Sequence, residues 1–128
     1  AGMLLPGSAS ADAQALIAFG SDQVRARVLA TPQEKRTGKT ITEPEALEVR
    51  WRQVREQGVA YDWEEWRVGA PAVAAPVFGP DGQLKATLSV VPPIERCSPE
   101  QMAAYGEAVR RAAADLSSEL GYKAERST

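Results

Sequence analysis

The chain has 128 residues, with 15 Lys+Arg against 17 Asp+Glu and a net charge of −2. That length suits one domain over residues 1–128, and the charge lacks the basic excess that neutralising nucleic-acid phosphates demands. With no histidine and a single cysteine, the commonest general base and metal ligand is missing, and neither an internal disulfide nor a CxxC zinc site can form.

No phosphate-cradling GxxxxGK[ST] or GxGxxG stretch occurs, so no cofactor is expected. The longest uncharged apolar run, Val68 to Phe78, is about half of the roughly 20 residues a bilayer span needs, and Pro71 and Pro76 interrupt it. "AGMLLPG" is too short for a secretory signal. A cytoplasmic location without membrane contact is the expectation.

"SASADAQALIAFG" predicts a short helix with Ser8 or Ser10 as N-cap and Gly20 as stop. "SDQVRARVLATP" predicts a second, capped by Ser21, with Val24 and Val28 on one face and Pro32 closing it. The polar stretch "ATPQEKRTGKTIT" carries Lys35, Arg36 and Lys39 around Gly38 and is expected as a solvated loop. "TEPEALEVRWRQVREQG" predicts a third helix, with a Thr42–Glu45 capping box, Pro44 in its first turn and Gly58 at its end. Leu47, Trp51 and Val54 recur at helical spacing as its buried stripe, leaving Glu48, Arg52 and Arg55 to water.

From Val59 to Phe78 the pattern turns strand-like, with Pro71 and Pro76 implying edges or bulges. "GPDGQ" has hairpin chemistry. It leads into "LKATLSVV", where Leu84, Ala86, Leu88 and Val90 share one face and Lys85, Thr87, Ser89 and Val91 the other. The last helix opens with Ser98, Pro99 and Gln101 as cap, first residue and box partner, and ends at Gly121. Its predicted apolar stripe is Met102, Tyr105, Val109, Ala112, Leu116 and Leu120. The order implies an α+β fold, a mostly antiparallel sheet with helices packed on it.

The segments "LPGSASADAQALIAF", "TITEPEAL", "VREQGVAYDWEE" and "AAPVFGPDGQLKATLSV", and the helix after "RCSPE", stand in one order over Leu4 to Gly121. This set resembles the C-terminal effector-binding domain of IclR-type transcriptional regulators. The resemblance implies a GAF-like domain that binds a small molecule and assembles as a homodimer or tetramer. It also implies that DNA is contacted only through a separate winged helix-turn-helix domain on the N-terminal side. The first strands of the family domain would precede this chain.

Carried over by position, the implied ligand-binding residues are Ala11, Asp12, Asp62, Ala70, Ala72, Ser89 and Val91. Ala72 and Val91 stand where members holding small oxo-acids tend to have Cys or Ser, and Ser8 replaces a common His. The implied effector is therefore apolar or aromatic, with few polar atoms at one end. On this reading Lys85, Thr87 and Ser89 look into the cavity; from strand alternation alone the commoner case is that they face solvent on a one-sided antiparallel sheet. Two other functional classes stay open: a purely structural dimerisation module, and an enzyme working through Asp62, Glu64 or Glu65, which the absence of histidine disfavours.

Overall fold

A computed structural model describes residues 10–123. Helix α1 spans Ala11–Ala18, and Ser10 caps it by accepting the Ala13 N–H at 3.1 Å; the alternative cap Ser8 lies outside the described residues. Helix α2, Asp22–Ala30, is capped in the same way by Ser21 onto the Val24 N–H, although of Val24 and Val28 only Val28 is buried. The end of α1 is closed from α2, where Arg25 Nη1 donates to the carbonyls of Ile17, Ala18 and Gly20 at 3.1, 3.0 and 2.8 Å. A cation on the last carbonyls of a helix satisfies orphan acceptors and complements its dipole.

Helix α3, Pro44–Gln57, buries Leu47, Trp51 and Val54 and ends on Gly58 at φ 75°, a conformation natural to glycine. Its expected capping box is absent. Glu43 is the N-cap and makes no side-chain bond, because Pro44 takes the first helical position and leaves Thr42 one residue outside the reach of the orphan N–H groups.

The long strand-like run divides into β1, Ala60–Asp62, and β2, Ala72–Phe78, with a turn region between them; β3 follows at Leu84–Val90. They form an antiparallel sheet in the order β1-β2-β3. The β2–β3 turn is built as its residues suggest: Gly79 N donates to the Gln83 carbonyl at 2.9 Å, Asp81 Oδ1 accepts the Gln83 N–H at 3.0 Å, and Gly82 takes φ 76°.

β2 is the middle strand and is buried on both faces. On one face Ala72 and Ala74 pack with Ala60 under Ala11, Ala15 and Ala18 of α1, backed by Val28, Leu47, Trp51 and Val54. On the other, Val73, Ala75 and Val77 meet Met102, Val109 and Ala113 of helix α4, Pro99–Glu119. Alanine against alanine lets α1 lie close to the sheet, and Trp51 then supplies volume behind it. Pro76 is tolerated in this middle strand because its nitrogen faces away from β3, on the same side as Phe78 N, and β1 has ended before reaching it. The Phe78 N–H finds a substitute partner in Ser117 Oγ of α4 at 2.9 Å.

The capping box of α4 is present, with Ser98 Oγ accepting the Gln101 N–H at 3.1 Å and Gln101 Oε1 accepting the Ser98 N–H at 3.0 Å. The helix closes as expected on Gly121 at φ 97°, whose N–H reaches the Ser118 carbonyl while that of Tyr122 reaches Ser117. Its stripe departs from the expectation. The buried positions are Met102, Gly106, Val109, Ala113 and Ser117, whereas Ala112, Leu116 and Leu120 are exposed. Small residues won the inner face because α4 lies tightly on β2 and on the Tyr61 ring, which sits against Gly106.

Candidate functional site

The antiparallel register sets Asp62 opposite Ala72, and one step along it Ala60, Ala74 and Ser89 form a row across all three strands. The same register carried one residue beyond β3 sets Val91 beside Ala72. α1 lies over this face, where Ala11 and Ala72 belong to one buried cluster, and Asp62, paired with Ala72 across the strands, is buried as well. Asp12 and Ala70 are half-buried, and Ser89 and Val91 are exposed, Val91 at 64%.

The polar face of β3 meets α1. Thr87 Oγ1 donates to Asp12 Oδ1 at 2.7 Å, and Ser89 Oγ to Asp12 Oδ2 at 3.3 Å. Lys85, next on that face, is exposed and lies 3.9 Å from Asp81. The alternation thus serves a carboxylate in the first turn of α1, where the helix dipole also favours negative charge.

The second wall is a turn that folds back on itself through two buried carboxyls. Asp62 Oδ1 accepts the Glu65 N–H at 2.7 Å, and Glu65 Oε2 accepts the Trp63 N–H at 3.0 Å. Between them Glu64 adopts φ 66°, an uncommon conformation for a residue with a side chain, and its Oε1 accepts the Gly69 N–H at 2.7 Å. Burial raises the Asp62 carboxyl to about 6, against the lowering effect of the Glu65 N–H, and the nearby Glu65 carboxylate adds to the rise.

Arg50 of α3 supplies the counter-charge, its Nη1 lying 2.6 Å from Glu65 Oε1 and 3.4 Å from Gln14 Oε1 of α1. Gln14 is fully buried, and its Nε2 has no hydrogen-bond partner among the described residues.

The basic loop expected in solvent is docked onto this turn. Buried Thr40 Oγ1 accepts the N–H groups of Arg36 and Thr37 at 3.1 and 2.9 Å and donates to the Glu65 carbonyl. Thr37 Oγ1 donates to the Glu64 carbonyl at 2.7 Å. The Arg36 guanidinium lies 3.7 Å over the Trp66 ring, and Lys39 pairs with Glu64 at 3.5 Å. Two of the loop's cations, Arg36 and Lys39, thus reach the turn, whereas Lys35 Nζ donates to the Thr40 carbonyl within the loop at 3.3 Å; all three residues stay exposed.

The sequence reading missed Gln14, Arg50 and Thr40, and it named Glu65 only as an acid of the disfavoured enzyme reading. The first two left a trace: Gln14 follows Ala11 by three positions and precedes Ala18 by four, and Arg50 stands likewise between Leu47 and Val54. Both are polar groups on apolar stripes.

A separate cavity of about 460 Å³ opens at the far end of α1, along the edge of β2 past the end of β1. Phe19, Phe78 and Tyr122 line it, together with Arg55 and Arg110; none of the seven candidate residues does. Among the described residues no helix is long and apolar enough to cross a membrane, and no three acidic, histidine or cysteine side chains are grouped to hold a metal.

Residues 1–118 match the family described as bacterial transcriptional regulator IclR, C-terminal. The chain belongs to this family, one of transcriptional regulators and not of enzymes. It is 37% identical over 101 residues to the HTH-type transcriptional regulator KdgR of Escherichia coli K12, covering 79% of this chain and 38% of that protein. It is 31% identical over 124 residues to the HTH-type transcriptional repressor AllR of the same organism, covering 96% and 46%. The chain thus spans less than half the length of these curated relatives.

Among solved structures, a putative IclR regulator from Silicibacter superposes with a TM-score of 0.85 at 29% identity, covering 94% of this chain and 48% of that one. The C-terminal domain of E. coli KdgR gives 0.78 at 34%, covering 89% and 70%.

Proposed function

We propose that this chain is the small-molecule-sensing and self-associating part of an IclR-type regulator that works in the cytoplasm and contacts DNA through a separate N-terminal domain. The observation that carries the reading is the buried carboxyl of Asp62 beside Ala72 in the sheet register, on the face where Ala72 packs with Ala11 at the start of α1. A site of that make-up suits an apolar or aromatic body with a polar end at Asp62. Asp12, Ala70, Ser89 and Val91 complete its rim.

The test is thermal melting of the 128-residue chain against a panel of aromatic and aliphatic metabolites, since a ligand of the folded state raises the midpoint by mass action. Stabilisation that disappears in Ala72→Trp supports the site; a panel without effect, or one indifferent to that substitution, overturns it.

A structural assembly module is favoured by a different observation. Val90, Val91, Ile94, Leu116 and Leu120 are apolar and exposed, and Thr87 and Ser89 are already engaged by Asp12. This reading expects self-association without any ligand response.

A further inference from the structure

Two buried side-chain donors have no partner among the described residues, Trp51 Nε1 and Gln14 Nε2; of the two, Gln14 is the one hydrogen-bonded to the Arg50–Glu65 pair beside Asp62. Arginine has donors only, so the amide must turn Oε1 toward Arg50, and an exchange of its O and N would set donor against donor. Nε2 is then fixed on the opposite side of the amide, buried and without an acceptor among the described residues.

A buried donor left unpaired carries a desolvation penalty. This one sits on the buried stripe that begins at Ala11, and three hydrogen-bonded links join its amide to Asp62: Gln14 Oε1 to Arg50, Arg50 to Glu65 Oε1, and Glu65 N to Asp62 Oδ1.

Resting on the reading of the Ala11–Asp62–Ala72 face as a ligand site, we propose that Gln14 Nε2 is its specificity donor and that the ligand presents a neutral carbonyl oxygen to it, as a carboxamide does. Charge decides against a carboxylate in that place. The single cation of the cluster, Arg50, is already 2.6 Å from Glu65, and Asp62 is a second acid beside it. A ligand anion would be the third acid sharing one guanidinium in a poorly solvated site. A carboxamide matches both fixed groups, its oxygen accepting from Gln14 and its N–H donating to the Asp62 carboxylate, while an aromatic or aliphatic body covers Ala11 and Ala72.

The probes are benzamide, benzyl alcohol and benzoate, titrated into the isotope-labelled chain and followed by amide chemical shifts, with Gln14→Met and Gln14→Glu as variants. Both variants remove the donor at similar volume, and the glutamate keeps an acceptor for Arg50. The expected result is saturable benzamide shifts at Ala11, Asp62 and Ala72, weakened about tenfold in both variants, with benzoate much weaker than benzamide. Gln14→Met should melt at the same temperature as the parent or higher, since it deletes an unsatisfied group.

Benzamide binding on this face that both variants leave unchanged, or benzyl alcohol or benzoate binding there more tightly, overturns the role of Gln14 and leaves the site standing. An absence of shifts on this face with all three probes sinks the site and the donor together.

Discussion

Asp62 carries the clearest consequence at the scale of a single residue. Folded, its carboxyl stands at about 6; unfolded, it returns to about 3.8. The folded state therefore holds more protons between those values, and stability falls as pH rises. The contribution is fully present below the lower value and is lost on passing the upper one, a difference on the order of 2–3 kcal/mol. Asp62→Asn keeps an acceptor for the Glu65 N–H but cannot ionise. Urea unfolding from about pH 4 to 7.5 should show the parent losing stability relative to this variant; parallel curves would refute the assignment.

Gly106 is a second case. A Cβ there meets the Tyr61 phenol, so Gly106→Ala, which in a free helix gains about 1 kcal/mol, should here destabilise by roughly 1–3 kcal/mol as the ring is displaced. A higher melting temperature in the variant would show that Tyr61 moves aside without cost.

At the scale of elements, two helix starts that look alike in sequence behave differently. Ser98→Ala deletes one half of a reciprocal cap and should cost about 1 kcal/mol. Thr42→Ala touches no N-terminal amide of α3 and should be close to neutral. Chemical denaturation of the two variants side by side checks the contrast, and equal losses would mean that α3 is capped through Thr42 after all.

The loop before α3 is another such element. Thr40→Val retains shape but strips the hydroxyl that three backbone groups share, and leaving those groups unpaired should cost about 2–3 kcal/mol. Amide exchange should accelerate first at Arg36, Thr37 and Glu65; uniform acceleration would refute a local role.

For the molecule as a whole, exposed apolar side chains lie on α4, at the end of β3 and just after it, and among the described residues β3 is an edge strand. The chain should self-associate in light scattering at tens of micromolar, and Leu116→Lys with Leu120→Lys should weaken association without unfolding it. A monomer under those conditions would contradict the expectation.

Much of this was legible because it is local chemistry. The caps at Ser10, Ser21 and Ser98, the stop at Gly58, the turn at Gly79–Gln83 and the Leu47–Trp51–Val54 stripe depend on neighbours within a few positions, where side-chain type and spacing dictate the outcome. The family, too, could be read from motifs in order. What the chain could not announce is which of two apolar stripes on α4 would face the sheet. Hydrophobicity favoured the one with Leu116 and Leu120, yet close approach to β2 and Tyr61 selected Gly106, Ala113 and Ser117.

The polar wall of the site was hidden for the same reason. Gln14, Arg50, Thr40 and Glu65 meet across separations of up to 36 residues. Only the packing of α1 and α3 against the turn after β1 brings their charges and donors within bonding distance, because hydrogen bonds act over a few ångströms in space and carry no mark of separation along the chain.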